Sequence, residues 1–169
     1  MEYFADEIDD VDKGNFGMPE VLKDFLAKEL KLNILHSVDD GTLTAKTHEG
    51  TEELIVRLVE SEVVSKREIT EWPRLKHTNV LKLLSVQYLP ILDVFAFITI
   101  NHPISLVCVL RNDDFFKYDK MIYIRKWLRE VLCGLQYLHG KGKSCLGLCL
   151  KNVMISNEFS AVIKVPYDR

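Results

Sequence analysis

Residues 127–142 read WLREVLCGLQYLHGKG, and the interpretation of this stretch decides the fold class. Trp127, Leu128, Val131, Leu132, Leu135 and Leu138 recur at three- and four-residue spacing, the apolar face of an α-helix. Ile122 and Ile124 extend that face upstream, and Asp119 suits an N-cap. Gly140 and Gly142 stop the helix. Beyond them, residues 152–155 and 161–165 have the length and character of short strands. Upstream the period changes. Residues 53–59 (ELIVRLV), 80–86 and 94–100 read as strands, and Asp39-Asp40-Gly41 marks a turn between short apolar runs. Residues 61–72 read as a helix closed by Pro73. Strand, strand, strand, helix, strand, strand and then helix predicts an α+β fold, with one helix inserted among mostly antiparallel strands.

The amino-terminal end has another texture. Residues 1–17 hold Glu2, Asp6, Glu7, Asp9, Asp10 and Asp12 before the first base, Lys13, and predict an acidic, solvated tail. Pro19 suits the start of a helix, and Val21, Leu22, Phe25, Leu26 and Leu30 form one stripe. The expected organisation is therefore a flexible tail at 1–17, an amphipathic helix at 18–31 that packs on its own domain, and one domain at 32–169.

Composition narrows the function classes. Lys plus Arg total 22 against 25 Asp plus Glu, a net charge of −3 over 169 residues, so no global field draws nucleic acid or an anionic membrane. The apolar run at 94–100 is far short of the roughly 20 residues a membrane-spanning helix needs. The acidic start is unlike a secretory signal, which points to a soluble, cytoplasmic chain. Cys108, Cys133, Cys145 and Cys149 are expected to be reduced thiols in apolar surroundings, since no second pair follows Cys145 and Cys149 at zinc-finger spacing. No metal is expected.

Three segments carry a family resemblance. REITEWPRLKHTNVLKLL, residues 67–84, resembles the protein-kinase segment running from helix C to strand 4, with Glu68 on the helix-C glutamate and Leu75, His77 and Asn79 on a Leu-x-His-x-Asn signature. Residues 127–142 resemble kinase helix E, which ends Gly-Leu-x-Tyr-Leu-His. CLGLCLKNVMI, residues 145–155, then occupies without a gap the place of the catalytic loop His-Arg-Asp-Leu-Lys-x-x-Asn. The resemblance implies a kinase-like N-lobe at 32–100, a five-stranded antiparallel sheet plus helix C. The start of a C-lobe follows at 101–169, with helices D and E and a degenerate catalytic-loop hairpin.

The departures imply lost catalysis. Cys145, Leu146, Gly147 and Cys149 stand where the family has His, Arg, its catalytic Asp and Lys; Asn152 matches the metal-binding Asn. Glycine has no group to take a proton, and loss of a positioned base costs on the order of 10²–10⁴-fold in rate. Val165-Pro166-Tyr167 stand where a magnesium-binding Asp-Phe-Gly is expected, and Asp168 falls three places late. If Gly41 is the third glycine of a phosphate loop, the first two positions hold His36 and Val38. Arg57 aligns with the strand-3 lysine that pairs with Glu68, and Lys46 competes for that role. Thr99 falls at the back of the nucleotide pocket, and Asn101-His102-Pro103 at its hinge.

Gly41, Arg57, Glu68, Thr99 and Asn152 are thus expected to be a vestigial nucleotide site, and Gly147, Cys145, Cys149 and Val165 degenerate catalytic positions. The resemblance implies a pseudokinase: a truncated kinase-like scaffold or regulator without phosphotransfer and without a cofactor. The alternative is a divergent kinase or ATP-binding protein with weak residual activity. The expected partner is a protein, either an active kinase or a second copy through Trp127, Leu128, Val131 and Leu135 of helix E. This follows because the family continues into a helical C-lobe where the sequence stops at Arg169.

Overall fold

The computed structural model describes residues 18–39, 41–102, 104–112, 116, 119–145 and 147–164. The expected acidic tail at 1–17 lies outside them. The chain forms two compact units, Met1–Val64 with Ser85–Asn101, and Ser65–Leu84 with His102–Arg169.

In the first unit, helix α1 (Glu20–Leu30) precedes strands β1 (Leu32–Asp39), β2 (Thr42–Thr47) and β3 (Glu53–Glu60), with β4 (Leu83–Leu89) and β5 (Val94–Ile100) following. They make a five-stranded antiparallel sheet in the order β1-β2-β3-β5-β4. Because side chains alternate across a strand, Leu43, Ala45, Leu54, Val56, Ala96 and Ile98 share one face, and α1 covers it with Leu26 and Leu30. Most of the amphipathic stripe of α1 thus packs on its own domain, with Leu22 and Phe25 half-buried against the same core, whereas Val21, expected in that stripe, is exposed. The first unit is α+β, as the element order predicts.

Asp93 ties the far ends of two strands together. It sits at φ 51 in the turn after β4, and its Oδ1 accepts from Ser61 Oγ (2.6 Å) and Tyr88 Oη (2.7 Å) while its carbonyl accepts from Ser61 N (3.0 Å). The hydrogen bonds from Ser61 and then Tyr88 hold the Asp93 carboxyl below its ordinary range, and Asp93 in turn raises the Tyr88 phenol.

The helix expected at 61–72 is shorter. Helix α2 is Lys66–Glu71, followed by a 3-10 turn at Trp72–Arg74. Ser65 starts it, its Oγ accepting from Glu68 N while Glu68 Oε2 accepts from Ser65 N (2.7 Å), a reciprocal capping box. Val63 and Val64 stay outside the helix, whose propensity β-branching lowers. The strand expected at 80–86 is Leu83–Leu89 instead. Val80 and Leu81 leave that ladder because they pair with Ile163: Val80 bridges it in parallel, and Leu81 N donates to its carbonyl (2.8 Å).

The second unit further holds β6 (Ile104–Ser105), α3 (Leu106–Arg111), α4 (Lys120–Gly140), β7 (Val153–Ile155) and β8 (Ala161–Ile163), with β6-β7-β8 forming an antiparallel sheet. Asp119 caps α4, its Oδ1 accepting from Met121 N (2.9 Å). The helix closes where Lys143 N donates to Leu138 O (2.9 Å), with Gly142 at φ 69. Trp127 is buried among Leu106, Val109, Val153, Ile155 and Ala161, and its Nε1 donates to Phe159 O (3.0 Å). Trp72 is likewise buried, its Nε1 donating to Leu81 O (3.2 Å). Strand β8 ends at Ile163, and Val165 lies outside the described residues.

Asn79 links these parts. Its Nδ2 donates to Ala161 O (2.9 Å), its carbonyl accepts from Ile163 N (2.9 Å), and its N donates to His77 Nδ1 (3.1 Å). A Cβ at Gly134 of α4 would lie 2.8 Å from both Asn79 O and Ile163 Cδ1. At Gly140, the last residue of the same helix, nothing lies within 4 Å.

Gly134→Ala is therefore expected to destabilise the chain by about 1–3 kcal/mol through overpacking, whereas Gly140→Ala is neutral or better, as thermal melting of both variants would reveal. The lowered Asp93 carboxyl fixes a sign of pH dependence. Its contribution is complete above the unfolded value of 3.8 and lost as pH falls through the lower folded value. The melting-temperature difference between the natural chain and Asp93→Asn should be constant between 3.8 and the ordinary phenol value of 10.0 and shrink on acidification below 3.8.

Candidate functional site

The loop at 145–152 in the second unit is the first candidate. Leu148 N donates to Cys145 O (3.3 Å), and a 3-10 turn at Leu150–Asn152 follows with Asn152 N donating to Cys149 O (2.9 Å). The Asn152 amide Nδ2 donates to Gly147 O (2.8 Å), and its own carbonyl accepts from Lys164 N (2.8 Å). Asn152 thus closes the loop on itself and fastens it beside β8. With one Nδ2 hydrogen engaged, Oδ1 is the side-chain atom left to meet a cation, and the second Nδ2 hydrogen can still donate to a ligand. Gly147, exposed, offers a carbonyl that is already taken and no side chain. No carboxylate occurs between positions 145 and 152, so the loop holds no general base of that kind. Leu146 and Val165 to Asp168, where the sequence put the other altered positions, lie outside the described residues.

The cysteines differ from expectation. Cys108, Cys133 and Cys149 are exposed and Cys145 is half-buried, none of the four in a disulfide. Cys149 starts the 3-10 turn and Cys133 lies on the outer side of α4, so neither position reaches an apolar core.

The second candidate is the sheet face of the first unit opposite α1. Cross-strand partners share a face, so Thr44, Ile55 and Thr99 line one row and Thr42, Arg57 and Phe97 the next. Thr44, Phe97 and Thr99 are buried, and Arg57 is half-buried. A β-bulge between Ile34 and His36 turns His36 to the same side, where its Nδ1 is 3.0 Å from Thr44 Oγ1. The sequence singled out Arg57 and Thr99; the hydroxyl of Thr44 joins them, a residue that alternation from Ala45 would have located. Lys46 sits on β2 in a cross-strand ion pair with Glu53 (3.7 Å).

Gly41 serves the hairpin. Its φ is +94, Leu58 N donates to its carbonyl (2.7 Å), and a Cβ would lie 3.1 Å from Leu58 O. The turn therefore requires glycine without reference to a ligand. Asn101 is also tied down, its N donating to Glu53 O (2.9 Å). Pro103 lies outside the described residues.

Glu68 serves α2 through the Ser65 capping box described above. His77 stacks on Tyr137, with centroids 4.9 Å apart, and accepts from Asn79 N, a structural role. The ring of His139, at the end of α4, is exposed. Among the described residues no group of three His, Cys, Asp or Glu side chains is placed to hold a metal ion. No described helix is long and apolar enough to cross a membrane.

No family model matches the chain, and the search of curated proteins finds no match either.

Two outcomes follow. Glu68→Gln preserves the capping box and should melt with the natural chain, while Glu68→Ala loses about 0.5–1 kcal/mol. Asn152→Ala removes the loop-closing bond to Gly147 and should cost about 1 kcal/mol in denaturant unfolding, with Asn152→Asp no better because it cannot donate.

Proposed function

We propose that the chain is a protein-interaction module of kinase-like ancestry that carries out no phosphotransfer. The sheet β1–β5 with α2 takes the place of the family's N-lobe, and α3 and α4 those of helices D and E. Three sequence segments in family order support this, and a five-stranded antiparallel sheet with a helix between its third and fourth strands is compatible with it.

One observation carries the functional half. Gly147 stands where the resemblance puts the base, and its carbonyl closes a loop that holds no carboxylate. Phosphoryl transfer rests on positioning and charge stabilisation, so a loop with no carboxylate to orient a nucleophile or hold a metal leaves little to lower the barrier. The polar groups that remain, Arg57, Thr44 and Thr99, sit on one sheet face and support the alternative of a nucleotide-binding protein.

Thermal melting with ATP and Mg²⁺, Mn²⁺ or EDTA separates the two. The module is expected to show no metal-dependent shift. A nucleotide at 100 times its Kd would add about 2.7 kcal/mol, a rise of a few degrees. Such a rise, lost in Arg57→Ala or Asn152→Ala, would establish the nucleotide-binding alternative.

A further inference from the structure

Resting on the interaction-module reading above, we propose that the outer face of α4 docks an acidic amphipathic segment of a partner protein. The face differs from the one expected for self-association. Trp127 is buried and Val131 and Leu135 are half-buried, whereas Leu128 (58%) and Leu132 (65%) are exposed, as are Met121 and Ile122. Met121, Leu128 and Leu132 follow one line of the helix at spacings of seven and four, and Arg125 and Arg129 run beside them, both exposed.

Charge selects the occupant. Within residues 120–140 the one carboxylate is Glu130, and it faces inward, accepting from Ala161 N (2.7 Å) and lying 3.7 Å from Lys126 Nζ. Arg125 and Arg129 are ion-paired to no described carboxylate. A second copy packed through the same stripe about a two-fold axis would bring like guanidiniums together with no acid between them. An acidic helix supplies both missing parts: apolar side chains for Leu128 and Leu132, and carboxylates in fork geometry for the two arginines. A lipid surface fits less well. Membrane-surface helices carry a polar face rich in Lys and Arg, and the opposite side of α4 is instead committed to the core around Trp127.

The test uses the full chain and two labelled helical peptides about 18 residues long. One has leucines on one face and glutamates elsewhere; its twin has lysines for the glutamates. Fluorescence anisotropy should show the acidic peptide binding at least about tenfold more tightly, weakening above about 0.15 M salt as screening sets in. Leu128→Gln with Leu132→Gln should lose about tenfold or more, and Arg125→Glu with Arg129→Glu should invert the preference towards the lysine twin. These side chains are exposed, so unchanged melting certifies that the variants fold. Equal binding of both twins, or phosphatidylserine vesicles bound in place of the peptide, overturns the acidic partner. So does sedimentation showing a dimer that Leu128→Gln with Leu132→Gln dissolves, although that result leaves the interaction module standing. A monomer that binds neither peptide nor vesicles overturns the acidic partner and counts against the α4 face as an interaction surface.

Discussion

The second unit depends on Asn79. One side chain and the two peptide groups that flank it satisfy Ala161, Ile163 and His77 together, and they do so in a buried position where an unmet polar group costs about 1–3 kcal/mol. Asn79 fixes the two residues after it, so Val80 and Leu81 run beside β8. It also fixes what α4 presents, because the helix lies so close to the Asn79 carbonyl that only a residue without a side chain fits at 134. Trp127, two turns earlier on the same helix, then reaches the β7–β8 hairpin, where it and Lys126 donate to the Phe159 carbonyl. Helix, hairpin and the 75–81 segment hold one another through polar contacts as much as through the apolar core.

Much of the architecture was legible in the residues. Strand β5 and the α4 helix, with its Asp119 cap, follow from hydrophobic period and local chemistry that neighbours do not overrule. The misplacements have local causes. Ser65 with Glu68 three places later is a helix start signal, preceded by the two β-branched residues Val63 and Val64, and a window that begins at Ser61 overlooks both. Val80 and Leu81 are apolar enough for a strand, yet their backbone partner is Ile163, more than 80 positions away and invisible to any local pattern. The burial of Trp127 against the exposure of Leu128 is equally unreadable from spacing. A broad apolar face states that a helix packs, not which of its sides does so.

The candidate site was legible by residue type but not by role. Arg57 and Thr99 were found by resemblance, and the register sets them in adjacent rows of one face. Gly41, Glu68 and Asn152 were found by resemblance, and each has a structural occupation: a left-handed turn, a helix cap and a closed loop. Residues kept for folding outlast residues kept for chemistry when a catalytic role is lost, because their removal is felt in every molecule of the chain. That pattern agrees with the proposed history without depending on it.

The irregular first strand has a further consequence. β1 is an outer strand of the five-stranded sheet, and its register against β2 shifts twice, between Ile34 and His36 and between Ser37 and Asp39. No more than three successive residues keep a regular ladder, so an incoming chain would find donors and acceptors out of step within about 10 Å of contact. The flank is thereby protected against runaway strand-by-strand stacking into fibrils.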